Sequence, residues 1–168
     1  GRLVEARKLK RRRAKSNSSI EKMLDLGFVG EPSRINPHIL EPFVHTDVIP
    51  VIAPIGIGAK GETYNINADT VAGAVAAAVS ASKLILLTDV EGVLNNQGKL
   101  VPQLSLREAR RFLRDGTLSG GMIPKIETCV HAVGDGTGAA HILDGRVPHV
   151  LLLEIFTSHG VGTMIRPK

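Results

Sequence analysis

Lys83-Leu-Ile-Leu-Leu-Thr-Asp89 places four large aliphatic residues in a row between a cation and an acid. A short, unbroken apolar run of this kind reads as a buried strand, with Asp89 where the strand gives way to a loop. On its N-terminal side, Asp69 to about Ser80 is rich in alanine and other small residues, as in a helix packed closely on a sheet. On its C-terminal side, Ser105-Leu-Arg-Glu108 has the spacing of a capping box. Leu106, Ala109, Arg110, Phe112 and Leu113 follow at helical spacing, and Gly116 supplies a left-handed stop. A further helix is expected near Pro124, burying Ile126, Val130 and Val133. Ala139 to Leu143 and Val150 to Ile155 read as two more strands, and Gly162-Thr-Met-Ile165 as an edge strand. Earlier in the chain, Gly1 to Arg7 reads as a turn glycine and a short strand. Asn36 and Pro37 are an N-cap and first-turn proline opening a short helix to about Val44, and Val48-Ile-Pro-Val-Ile-Ala53 is another buried strand. Strands and helices alternating at these lengths predict an α/β fold, a three-layer sandwich with a largely parallel sheet.

Composition narrows the class. The 168 residues are 43% hydrophobic with no Trp, one Tyr and four Phe, so one core-bearing domain must be built from aliphatic side chains. No apolar stretch approaches the roughly 20 residues that cross a bilayer, and the charged N-terminus lacks the apolar segment of a secretory signal. A single cysteine, Cys129, forms no internal disulfide, so a cytoplasmic setting is expected. The chain lacks an initiator Met and is expected to start within a longer protein. The net charge of +5 is local: residues 1–15 carry eight basic side chains and one acid, leaving 13 basic and 15 acidic residues elsewhere. That arm has no interleaved aromatics to stack bases, which argues for a solvated terminus and against nucleic-acid binding.

Several motifs carry chemistry. Gly56-Ile-Gly58-Ala-Lys-Gly61 matches a literal dinucleotide fingerprint, but no amphipathic helix follows it, so a hairpin turn is the expected structure. In Tyr64-Asn-Ile-Asn-Ala-Asp69, extended geometry projects Asn65, Asn67 and Asp69 to one side at the start of a helix. This is either a site for a polar ligand or a capped helix start. Asp89-Val90-Glu91-Gly92-Val93-Leu94 leaves the carboxyl end of a strand, where open α/β sheets bind ligands. It lines a ribose and phosphates, or forms a tight turn into Asn95-Asn-Gln-Gly98. Ser119-Gly-Gly-Met-Ile-Pro-Lys125 sets two glycines before a helix whose first turn holds a lysine, the wrong charge for that end unless an anion is bound. The six histidines have no zinc-helix spacing and are expected at the surface or an interface. No Gly-x-Ser-x-Gly elbow occurs.

Taken together, Asp25-Leu-Gly-Phe-Val-Gly-Glu31, Tyr64 through Asp69, Leu84 through Leu94, Ser119 through Lys125, His141-Ile-Leu-Asp-Gly145, Leu151 through Phe156 and Gly162 through Ile165 cover nearly the whole chain. In these stretches the sequence resembles the acetylglutamate kinases of the amino acid kinase family, whose relatives glutamate 5-kinase and uridylate kinase carry other versions of the lysine loop. The resemblance implies that residues 1–168 form a C-terminal ATP-binding lobe, with 1–30 a strand and loop excursion and the N-terminal lobe absent. The implied reaction is magnesium-assisted, in-line transfer of the ATP γ-phosphate to the γ-carboxylate of N-acetyl-L-glutamate, an arginine-biosynthetic step. The resemblance gives Lys125 the stabilisation of the transferring phosphoryl group, Asp69 the orientation of that lysine and a second one from the N-terminal lobe, and Asn65, with Asn67, contact to the acceptor. Asp89, Val90, Glu91, Gly92, Val93 and Leu94, with Thr117, Leu118, Ser119 and Met122, match the nucleotide-binding stretches. Family members begin with a strand bearing a lysine and glycine pair, then a second Gly-Gly and an arginine. None of these occurs here. The resemblance further implies the other lobe as partner, homo-oligomerisation when complete, and a regulatory arginine site using His141, Glu154 and Gly160 in the run ending Ser158-His-Gly-Val-Gly162.

Overall fold

The computed structural model describes residues 2–9, 27–157 and 160–168. Most of the basic arm, Asp25 and Leu26 of the first family-like stretch, and Ser158 and His159 lie outside the described residues. The chain divides into two compact units, Gly1–Val71 and Ala72–Lys168.

In the first unit, β1 (Val4–Lys8), β2 (Gly30–Ile35), β3 (Ile55–Ile57) and β4 (Thr63–Asn65) form a sheet in the order β2-β1-β3-β4. β1 runs antiparallel to β2 and parallel to β3, and β3 and β4 make an antiparallel hairpin. The turn of that hairpin is the Gly56–Gly61 motif: Gly58 N donates to Glu62 O at 2.7 Å, and Lys60 N donates to Glu62 Oε2 at 2.9 Å. Gly56 is a packing glycine, because a Cβ there would lie 2.5 Å from the Ala6 Cβ. The expected hairpin is therefore what forms, and no helix follows to receive a pyrophosphate.

Two expectations for this unit fail, and proline explains both. Residues 36–44 do not form one helix but two single 3-10 turns, Pro37–Ile39 and Glu41–Phe43, and Asn36 makes no side-chain cap bond. Pro42 supplies no amide for an α-helical bond and clashes with the preceding turn, which interrupts the helix. Val48 to Ala53 is not a buried strand either. It forms no strand, and Val48, Ile49 and Val51 are 55%, 86% and 95% exposed. Pro50 and Pro54 withhold two ladder donors, and no described strand pairs with the segment.

α1 (Ala68–Ala78) begins in the first unit and continues into the second. The second unit contains β5 (Lys83–Thr88), β6 (Gln103–Ser105), α2 (Leu106–Asp115), α3 (Met122–Gly134), β7 (Ala139–Asp144), α4 (Val150–Phe156) and β8 (Thr163–Arg166). The sheet order is β5-β7-β8-β6. β5 is parallel to β7 and β6 to β8, while β7 and β8 are antiparallel. The α/β class is as expected, but parallel and antiparallel pairings are equally represented across the two sheets. β8 is also an interior strand, not an edge.

The capping box forms as read. Ser105 Oγ accepts from Glu108 N at 3.2 Å, Glu108 Oε2 accepts from Ser105 N at 2.8 Å, and Gly116 ends α2 at φ 76°. These bonds to Ser105 hold the Glu108 carboxyl below its usual range. α3 starts two residues before Pro124, which is tolerated because a first-turn amide has no helical acceptor. Ile126, Cys129, Val130, Ala132 and Val133 enter a core with Leu84, Leu86, Val93, Leu104, Ile142 and Ile165. Leu87 is 47% exposed, so β5 buries one face only. Val150 to Ile155, expected as a strand, lies within α4. It follows Pro148 and a left-handed His149, and its seven apolar-rich residues carry no periodicity that separates helix from strand.

Candidate active site

β5 and β7 run side by side in register from Lys83↔Ala139 to Thr88↔Asp144, so the loops that follow leave the same end of the sheet. Gly145 N donates to Thr88 O at 2.8 Å and ties the two loops together. Asp89, Val90 and Glu91 are exposed there, and Leu94 is 43% exposed, so all four are open to a ligand.

Gly92 and Val93 are not. Gly92 is buried at φ 146°, and a Cβ on it would lie 2.7 Å from Thr163 Oγ1 and 2.8 Å from Leu100 Cδ1. Val93 is fully buried, and its amide donates to Thr163 Oγ1 at 2.8 Å. Thr163 Oγ1 in turn donates to Val101 O at 2.7 Å. These two positions anchor the loop to β8. Asn95 Oδ1 accepts from Gln97 N and Lys99 N, closing the turn at residues 95–98.

The lysine loop divides in the same way. Leu118 is 7% exposed and belongs to the core, Met122 packs against that core, Thr117 is half-buried, and Ser119 is exposed. The Thr117 amide and hydroxyl donate to Asp115 Oδ1 at 3.0 and 2.6 Å, and these bonds hold the Asp115 carboxyl below its usual range. Nothing lies within 4 Å of the space a side chain would fill on Gly120 or Gly121. Gly120 lies at φ 53°, a left-handed conformation that itself favours glycine, whereas Gly121 has neither a packing nor a conformational reason, and an approaching anion would supply one. α3 has no acidic residue in its first turn and no side-chain cap, and Lys125, half-buried, is its fourth residue.

In the first unit the expected alternation holds. Tyr64 and Ile66 are buried, and Asn65 and Asn67 are exposed on the opposite side. Asn67 is also the helix cap, its Oδ1 accepting from Thr70 N at 3.1 Å, so α1 begins without Asp69 acting as the cap. Asp69 is half-buried in the first turn, where a carboxylate suits the helix dipole.

Two features escaped the sequence reading. Asp144 is buried, and Arg146 grips it through Nε to Oδ1 at 2.9 Å and Nη2 to Oδ2 at 2.8 Å. That fork lowers the Asp144 carboxyl to about 2. An Asp-x-Arg spacing beside a strand end was the available signal. The second feature is the burial of His141, which the histidine reading puts at a surface or interface and the family resemblance puts in a regulatory site: it is 2% exposed on β7, its Nδ1 2.7 Å from Glu154 Oε1 on α4. Burial lowers the imidazole's pKa, against the opposing pull of Glu154. Glu154 also accepts from Val161 N at 3.2 Å. With Gln103, Thr157, Gly160, Thr163 and Met164, it borders a cavity of about 300 Å³. Two of the three residues assigned to a regulatory site are thus in contact, and the third borders the same cavity as Glu154.

No group of three His, Cys, Asp or Glu side chains converges on a metal among the described residues. Nor is any described helix long and apolar enough to cross a membrane.

The model of the amino acid kinase family matches residues 3–144. The chain is 60% identical over 166 residues to the acetylglutamate kinase of Rhodospirillum centenum, covering 99% of this chain and 54% of that protein. The acetylglutamate kinase of Rhodospirillum rubrum matches at the same identity and coverage. The chain therefore spans about half the length of the curated relatives it matches. Among solved structures, N-acetylglutamate synthase from Neisseria gonorrhoeae, crystallised with coenzyme A and L-arginine, superposes with a TM-score of 0.85 at 26% identity. It covers all of this chain and 37% of the synthase.

Proposed function

The chain belongs to the amino acid kinase family, and we propose that it is the nucleotide-binding half of an acetylglutamate kinase, transferring the ATP γ-phosphate to the γ-carboxylate of N-acetyl-L-glutamate. The observation that carries this reading is the pairing of two elements. One is an exposed Asp89–Glu91 loop at a parallel strand end. The other is a glycine-opened helix start bearing Lys125, at which Gly121 has neither a packing nor a conformational role.

The chemistry follows from charge. In-line phosphoryl transfer needs alignment and neutralisation of developing charge rather than a covalent nucleophile. Lys125 would stabilise the transferring group, and Asp69 would serve as the orienting carboxylate of the transfer site. Asn65 would hold the main-chain end of the acceptor, assisted by Asn67 within the limits of its capping bond. Asp89, Val90, Glu91 and Leu94, with Thr117 and Ser119, would receive the nucleoside. A magnesium ion would arrive on the nucleotide and neutralise its β- and γ-phosphates. The N-terminal lobe is the proposed partner, the cytoplasm the proposed setting, and a homo-oligomer the proposed complete form. Exposed Leu152, Ile155 and Phe156 on α4 support such assembly. Acyl phosphate formation by the completed enzyme, trapped as the hydroxamate, tests the assignment. N-acetylglutamate should be preferred over free glutamate and carbamate, and a preference for either alternative would move the chain to another branch of the family.

A regulatory arginine site at the Glu154 cavity is the second part of the proposal. The arginine-bound synthase of matching fold supports it, as does a carboxylate on the wall of a cavity of about 300 Å³. A carboxylate can pair bidentately with a guanidinium. In the completed enzyme Glu154→Gln should weaken arginine binding by about tenfold or more in calorimetry, the scale of one charge-assisted bond. An unchanged affinity would remove Glu154 from the site.

A further inference from the structure

The Asp144–Arg146 pair does more than close a turn. Arg146 N already donates to Asp144 Oδ1 at 3.0 Å, and Val147 N donates to Asp144 O at 3.2 Å, so the backbone turn is complete without the guanidinium. The side chain nonetheless folds back onto Asp144 through two parallel bonds while remaining 67% exposed. A guanidinium has five N–H donors, so both on Nη1 and one on Nη2 remain outside the fork. What the fork achieves is to fix the plane of an exposed cation, and a preorganised donor loses less entropy on binding.

Its position gives that cation a purpose. Asp144 is the last residue of β7, directly beside Thr88 of β5, and Gly145 is bonded to Thr88. The guanidinium therefore stands at the end of the sheet from which Asp89 and Glu91 emerge, within electrostatic reach of both carboxylates. On their own, two exposed carboxylates would repel a polyanion from this loop.

We propose that Arg146, held by Asp144, is a phosphate-contacting residue of the nucleotide site, its free guanidinium edge donating to the polyphosphate of a nucleoside triphosphate. This rests on the nucleotide reading given above and adds to it a residue outside the two nucleotide stretches.

The test is a binding series on the 168-residue chain with adenosine, ADP and ATP, measured by calorimetry for wild type, Arg146→Ala and Arg146→Lys. The expected result is an ATP affinity about tenfold weaker in Arg146→Ala, the scale of one charge-assisted hydrogen bond, with adenosine binding unchanged. Arg146→Lys should fall between the two, because it keeps the charge and loses the fork. Equal losses for adenosine and ATP would mean that Arg146 only shapes the loop, and an unchanged ATP affinity would mean that it touches no phosphate. Either outcome overturns the proposal while leaving the nucleotide reading in place. If wild type binds neither ligand, the nucleotide reading fails and this inference fails with it.

Discussion

Replacing Lys125 with alanine in the enzyme completed with its other half should lower kcat by about a hundredfold or more, while the KM for ATP changes little. The split follows from where the charge is needed. Negative charge on the phosphoryl oxygens is redistributed as the bond to the leaving oxygen breaks, so a cation at that point contributes most in the transition state. The ground-state nucleotide is held chiefly by its nucleoside and by other phosphate contacts, so its binding loses little. The helix dipole offers no competing reason for the residue: Lys125 lies in the first-turn region of α3, where positive charge is disfavoured and no acidic first-turn residue offsets it. Steady-state kinetics with trapping of the acyl phosphate measures both parameters. A kcat close to wild type would make Lys125 a structural lysine.

What the sequence disclosed depended on how far each interaction reaches along the chain. The capping box of α2 closes within four residues, and the Gly56–Gly61 hairpin is decided by its own turn, so both could be read directly. The exposed face of Asn65 and Asn67 followed from a strand period of two. The anchoring of Gly92 and Val93 was not legible because their partner, Thr163, lies about 70 residues away, and nothing local signals that contact. α4 was misread for a different reason. Val-Leu-Leu-Leu-Glu-Ile-Phe is apolar at six of its seven positions, so strand and helix spacing fit equally, and only its packing decides. That packing turns Glu154 inward to His141, a contact between residues 13 apart that the strand reading would have placed elsewhere. β8 was assigned as a strand but not to its interior position, since strand order is a property of the assembled sheet.

The chain alone should give no hydroxamate above background, and activity should appear when the complementary half is supplied, together with new amide protection across Val48–Ala53. The two results have one cause. Val48, Ile49 and Val51 are large, apolar and 55–95% exposed in a segment that pairs with no described strand, although its composition is that of a buried strand. Fully burying such a side chain contributes about 1.5–3 kcal/mol, so the segment has a strong tendency to acquire a cover. Pro50 and Pro54 restrict it already, which lowers the cost of ordering it, and the intervening amides can still pair with a neighbour on one side. The curated relatives, of which this chain covers about half, have further sequence from which such a neighbour could come. On this reading Val48–Ala53 is an exposed apolar segment that the complementary half covers. Supplying that partner should also bring in the second lysine and the glycine pairs that the transfer chemistry needs. Hydrogen exchange on the chain alone and on the completed enzyme reads the first effect, and hydroxamate formation reads the second. Activity of the isolated chain would show that the complementary half is dispensable for transfer. Restored activity with residues 48–53 still exchanging freely would show that the halves meet elsewhere.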